Sequence, residues 1–165
     1  MSGRDYLKGK RVLIVDDEAD ILETLEDLLS GCEVVKATSF EEAKKMLENQ
    51  HFDIAVLDIM GVDGYQLLDI ARKKEVIAAM LTANALSPED TVKSFKEGAA
   101  SYIPKEEMIN ITTYLNDILE AKEMGKNFWW RWLGRFADYY ARKFSPQWQD
   151  SDMEFWKMFP HSYFM

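Results

Sequence analysis

The sequence runs to 165 residues, long enough for one well-buried domain with an appendage and short for two full domains. Apolar residues make up 47% and charged residues 30%, which excludes wholesale disorder. A formal net charge of −9 argues against a surface built to neutralise nucleic-acid phosphates, and the single cysteine, Cys32, can close no internal disulfide and build no cysteine-based metal site.

Residues 1–11 are polar and lack the apolar core of a secretion signal. The longest apolar run, Val76 to Leu81, is far short of the roughly 20 residues that span a bilayer. The expectation is a soluble, cytoplasmic protein, attached to a membrane surface at most.

Arg11 to Val15 is an apolar run of strand length that ends in Asp16 and Asp17. Residues 19–30 then place Ile21, Leu22, Leu25, Leu28 and Leu29 at helical spacing, and Gly31 is a stop signal. Glu33 to Ala37 reads as a second strand. Ser39 is a candidate N-cap for a helix through Gln50, with Glu42 completing a capping box.

The alternation continues with strand Phe52–Leu57, helix Gly64–Lys74, strand Val76–Leu81, helix Pro88–Glu97 and strand Ser101–Ile103. A helix beginning near Glu106 and running to 122 carries Ile111, Leu115, Ile118 and Leu119 on its apolar face. Five strands alternating with five helices describe a doubly wound α/β domain with a parallel sheet covered on both faces.

A compositional break follows near Gly125. Residues 1–122 hold 14 Lys/Arg against 24 Asp/Glu, whereas residues 123–165 hold 6 against 5 and contain all five tryptophans and 14 of the 21 aromatic residues. The domain is therefore assigned to 1–122 and a helical extension to 123–165. Over 128–144, Trp129, Trp132, Leu133, Phe136, Tyr140 and Phe144 share one broad helix face, with Arg131, Arg135 and Arg142 opposite, beside Asp138. Something must cover that apolar arc: the domain itself, a second copy of the chain, another protein, a membrane surface or stacked nucleic-acid bases. Residues 147–165 read as a second short helix or an irregular wrap.

Open parallel sheets bind ligands outside the carboxyl ends of their strands. Those ends carry Asp16 and Asp17 after the first strand, Asp58 after the third and Thr82 after the fourth, with Lys105 just beyond the fifth. Taken singly, acids at helix starts serve equally well as caps, and Asp58, Thr82 or Lys105 could be incidental polar residues. Three converging carboxylates would repel one another unless a hard cation such as Mg²⁺ took their oxygens. Asp58 could then act as a nucleophile toward a phosphoryl group, with the Lys105 ammonium drawing off charge and the Thr82 hydroxyl donating to the same group.

At Val15-Asp16-Asp17-Glu18, Val56-Leu57-Asp58-Ile59-Met60, Thr82-Ala83 and Gly98 to Lys105, the sequence resembles the response-regulator receiver domains of two-component systems over roughly residues 9–120. The resemblance implies a CheY-like, flavodoxin-like sheet of order 2-1-3-4-5. It implies Asp58 as phosphoacceptor, Asp16, Asp17, Asp58 and the Met60 backbone carbonyl as Mg²⁺ ligands, and Lys105 as the phosphoryl group's ionic partner. Thr82 and Tyr102 match the family's switch pair.

Implied partners are a sensor histidine kinase or phosphotransfer protein and an output protein reached through the last receiver helix and the extension, with self-association through that helix also open. No DNA-binding output domain is expected. A turnover enzyme is not expected either, because an aspartyl-phosphate phosphatase generally wants an acid where Met60 stands. Two features depart from the pattern: the loop from Asp58 to Gly64 is about two residues short, and Pro104 precedes Lys105 rather than following it. They motivate an alternative, a receiver-like scaffold that binds constitutively without cycling phosphate.

Overall fold

The computed structural model describes residues 5–83, 88–129 and 131–157. Strands β1 (Arg11–Val15), β2 (Glu33–Ala37), β3 (Ile54–Asp58), β4 (Ile77–Thr82) and β5 (Ser101–Pro104) alternate with helices α1 (Ala19–Leu28), α2 (Phe40–Asn49), α3 (Gly64–Lys73), α4 (Pro88–Lys96) and α5 (Ile111–Met124). The strands form one parallel sheet in the order β2-β1-β3-β4-β5, as expected. Every residue of β3 is buried, as are all but the first of β1 and of β4, which is why these strands read as unbroken apolar runs. Only β2, at one edge, keeps polar side chains in solvent.

Local signals set several boundaries. Ser39 Oγ accepts the amide of Glu42 at 3.2 Å, and the Glu42 carboxylate accepts the amide of Thr38 at 2.9 Å, so the capping box closes one residue earlier than its usual form. The last helix of the α/β domain does not begin near Glu106. Lys105–Asn110 forms a 3-10 segment, and α5 starts at Ile111. Glu107 is held by the Tyr114 hydroxyl at 2.9 Å and Glu106 by the Tyr139 hydroxyl, contacts that tie the segment sideways. Gly125, at φ +68°, closes α5: the Lys126 amide reaches back to the Ala121 carbonyl at 2.8 Å and the chain turns over the sheet.

The extension follows as α6 (Trp132–Lys143), a 3-10 turn (Trp148–Asp152) and a short α7 (Met153–Trp156). Helix α6 starts four residues later than expected, because Trp129 caps onto the Asn127 side chain at 2.8 Å and Trp132 turns back to the Trp129 carbonyl. Its buried face is the one expected, with Trp132, Leu133, Phe136 and Tyr140, whereas Phe144 is partly exposed.

That face is covered by the chain's own α/β domain, on the side formed by α4, β5 and α5. Phe95 of α4 sits among Trp129, Trp132 and Phe155, at ring-centroid distances of 4.3, 5.0 and 6.2 Å. Strand β5 is an edge strand, yet all four of its residues are buried. On the opposite face, Arg135 grips Asp117 of α5 at 2.8 Å and Arg131 pairs with Glu120 at 2.8 Å. His51 is exposed and Cys32 half-buried, while His161 lies outside the described residues.

Candidate functional site

Asp16, Asp17, Asp58 and Lys105 meet at the carboxyl ends of β1, β3 and β5. One carboxylate oxygen from each of Asp16, Asp17 and Asp58 lies within 4.8 Å of the others. Asp16 is 0% and Asp58 4% exposed, whereas Asp17 faces solvent. The Lys105 ammonium reaches into the cluster, 2.8 Å from Asp16 Oδ2, 3.5 Å from Asp58 Oδ1 and 3.6 Å from Glu18 Oε2.

Burial holds the Asp16 carboxyl above the ordinary range, and the Lys105 ammonium and the Glu18 amide, which donates to Oδ1 at 2.9 Å, offset this only in part. For Lys105, burial disfavours the charge, but the contact with Asp16 and the fields of Asp16, Asp58 and Glu18 outweigh it and hold the ammonium above its usual range.

The donor set suits a hard cation. It consists of carboxylate oxygens on rigid strand ends, one of them open to solvent where coordinated waters could enter. Asp16 Oδ2 is buried and has the Lys105 ammonium at ion-pair distance, yet no well-aligned hydrogen bond satisfies it among the described residues. Distance and direction disagree at this atom: the charge is balanced, but a lone pair is left over. A divalent ion held by Asp16, Asp17 and Asp58 would take it.

The loop after Asp58 contributes two groups that reading residue types alone overlooks. The Gly61 amide donates to Asp58 Oδ2 at 3.1 Å. Gly64, at the start of α3, is pressed so closely on the strand end that a Cβ there would overlap the Asp58 carbonyl oxygen. The signal was present in the shortness of the loop from Asp58 to Gly64 rather than in its residue types. Met60 itself is 78% exposed, so its side chain points away and only its backbone could serve the cluster.

Thr82 ends β4, buried, one residue beyond the Leu81 that pairs with Asp58. Tyr102 is not in the cluster. It lies mid-strand in β5 opposite Met80, fully buried, beneath the extension. The Trp132 indole donates to its backbone carbonyl at 2.9 Å, and the Trp129 indole donates to the Ala99 carbonyl at 3.0 Å. Tyr140 shares a buried hydrogen bond of 2.8 Å with Thr91 of α4. Burial, reinforced by neighbouring Tyr102, keeps the Tyr140 hydroxyl protonated well above the usual tyrosine range.

Comparison with known proteins agrees with the fold. The family model for the response regulator receiver domain matches residues 12–116. A probable transcriptional regulator, ycf27, of Guillardia theta is 40% identical over 106 residues, covering 61% of this chain and 41% of that protein. The chain thus spans less than half the length of the curated relatives it matches. A CheY-like receiver domain protein from Methanospirillum hungatei superposes with a TM-score of 0.64 at 31% identity, over 71% of this chain and 98% of the other. A response regulator from Burkholderia pseudomallei, solved with a phosphorylated aspartic acid, a calcium ion and citrate, superposes with a TM-score of 0.53 at 26% identity, over 58% of this chain and 59% of the other.

Proposed function

The chain belongs to the response-regulator receiver family of two-component systems, and from that premise we propose that it is a phosphorylation-controlled switch whose acceptor is Asp58 and whose output surface is its own extension. The observation that carries this reading is the seating of Asp58: buried at a strand end, 3.5 Å from the Lys105 ammonium and within reach of two further carboxylates.

In the reaction, an Asp58 carboxylate oxygen attacks the phosphorus of a phosphohistidine on a sensor kinase or phosphotransfer protein. The P–N bond breaks with its electron pair going to the imidazole, which takes up a proton, and a mixed phosphoric–carboxylic anhydride remains on Asp58. Lys105 moves from its pairing with the carboxylates of Asp16, Asp58 and Glu18 to the new phosphoryl oxygens, and Thr82 turns its hydroxyl toward the same group. Asp16, Asp17, Asp58 and the Met60 carbonyl would hold a Mg²⁺ ion, which when bound would supply charge neutralisation for the phosphoryl oxygens. The calcium ion and phosphorylated aspartate of the Burkholderia protein support this assignment.

The response then passes from Thr82 and Tyr102 to the extension. A shift in β5 or α4 acts on Trp132 through the Tyr102 carbonyl and on Tyr140 through Thr91. This amounts to a bias on a two-state packing of α6, reciprocal by linkage with the state of Asp58. An output protein would read α5 and the extension. The receiver works as a switch, with self-dephosphorylation as its only turnover.

Intact-protein mass spectrometry after incubation with Mg²⁺ and a small phosphodonor tests the acceptor. One phosphoryl adduct is expected in the wild type and none in Asp58→Ala. An adduct that survives the substitution, or a folded wild type that accepts nothing even from a phosphorylated histidine phosphotransfer protein, would reject it.

A further inference from the structure

We infer that Gly61 is a positioning residue for the divalent cation: its missing side chain is the space in which the Asp17 carboxylate stands. The inference rests on the cation reading above and adds to it a residue that is no ligand. Among described neighbours of Gly61, the three atoms nearest an added Cβ are Oδ1, Cγ and Oδ2 of Asp17, all closer than 3.0 Å. On its other side the Gly61 amide is engaged with Asp58 Oδ2 at 3.1 Å. Gly61 is therefore wedged between two of the three carboxylates that would share the ion.

The backbone has little room to retreat. Only residues 59–63 link β3 to α3, and the loop is closed at its base by the Gly64 amide on the Ile59 carbonyl at 3.0 Å. Asp63 already takes a left-handed conformation, φ +54°, to make the turn, and Gly64 is pressed on the Asp58 carbonyl. Gly61 itself does not have a positive φ, so an alanine there meets no backbone strain. What yields is Asp17, an exposed side chain that can rotate into solvent at little cost to the fold. Once rotated, it no longer faces Asp16 and Asp58. A substitution at 61 thus separates the ion site from the fold, a separation few positions this close to a buried cluster allow.

The test uses the full chain and Mn²⁺, whose free concentration is read by electron paramagnetic resonance, with thermal unfolding followed in EDTA. Gly61→Ala is expected to unfold in EDTA at the wild-type temperature and to bind Mn²⁺ roughly 10- to 100-fold more weakly, the range for losing an orienting contact. Combining Gly61→Ala with Asp17→Asn is expected to add no further loss to that of Asp17→Asn alone, because both act through one carboxylate. Wild-type Mn²⁺ affinity in Gly61→Ala, full additivity in the double variant, or a collapse of the EDTA unfolding temperature would each overturn the inference. A wild type that binds no Mn²⁺ would instead overturn the cation reading beneath it.

Discussion

The indole nitrogen of Trp132 donates a buried hydrogen bond of 2.9 Å to the backbone carbonyl of Tyr102, joining the extension to β5, the edge strand opposite β2. A parallel sheet leaves outward carbonyls along its edge strands, and an unpaired edge invites another chain. Here the chain satisfies one such carbonyl, at Tyr102, with its own Trp132, and Trp129 serves the Ala99 carbonyl just before the strand. Replacing Trp132 by Phe keeps most of the ring packing and leaves the Tyr102 carbonyl buried without that donor. The expected loss is about 1–3 kcal/mol in urea unfolding, against about 3–5 kcal/mol for Trp132→Ala. Equal losses for the two would mean that the hydrogen bond contributes nothing.

Lys105 is the main counter-charge to Asp16, which is wholly buried. Removing its ammonium in Lys105→Met strands that carboxylate, and a loss of about 3–5 kcal/mol is expected in EDTA. Added Mg²⁺ should restore part of it, since the ion supplies the missing positive charge. Urea titrations with and without Mg²⁺ measure both effects; a variant as stable as wild type in EDTA would show that Asp16 has another partner.

Alkaline pH should undock the extension. Burial and the Glu107 hydrogen bond push the Tyr114 hydroxyl from 10.0 up to about 12, and Tyr139 and Tyr140 are also raised, chiefly by burial. A raised folded-state pKa means the unfolded chain gives up these protons first. The Tyr114 contribution to stability is therefore constant below pH 10.0 and is lost as pH rises from there through about 12. Tyrosinate absorbance and tryptophan fluorescence, followed together, should change in one transition within that window. Tyrosines that titrate at their ordinary pKa with unchanged fluorescence would contradict the packing.

Two neighbouring glycines should fail in opposite ways. An alanine at 61 meets the movable carboxylate of Asp17, as argued above, whereas an alanine at 64 meets the backbone at Asp58 and Ile59. Gly64→Ala is expected to cost about 1–3 kcal/mol of stability, the range for overpacking a site that cannot shift. Circular dichroism melts in EDTA separate the pair, and a destabilised Gly61→Ala beside an unaffected Gly64→Ala would reverse the assignment.

The parts of the fold and site that were legible in the sequence share a cause. Apolar runs that end in Asp16, Asp58 and Thr82 report at once a buried strand and the sheet end where ligands bind. The apolar face of α6 was legible too, from its period alone. What covers that face was not, because a helical wheel carries no information about a partner surface contributed by Phe95 and Tyr102, both distant in sequence. For the same reason the wheel names no partners for Arg131 and Arg135, which Glu120 and Asp117 engage. The 3-10 segment Lys105–Asn110 escaped because its tethers, Tyr114 and Tyr139, lie one and several turns further along the chain. Gly61 was invisible as a residue type, since its contribution is the volume it leaves empty.

The central claim is that a phosphoryl group on Asp58 is felt by the extension. Hydrogen exchange of the α6 amides, measured on full-length protein with Mg²⁺ before and after a small phosphodonor, tests it most directly, with Asp58→Ala in parallel and phosphorylation verified by mass. The account predicts that α6 protection changes in phosphorylated wild type and stays constant in Asp58→Ala. Wild type that carries the phosphoryl group while every α6 amide exchanges as before would contradict it.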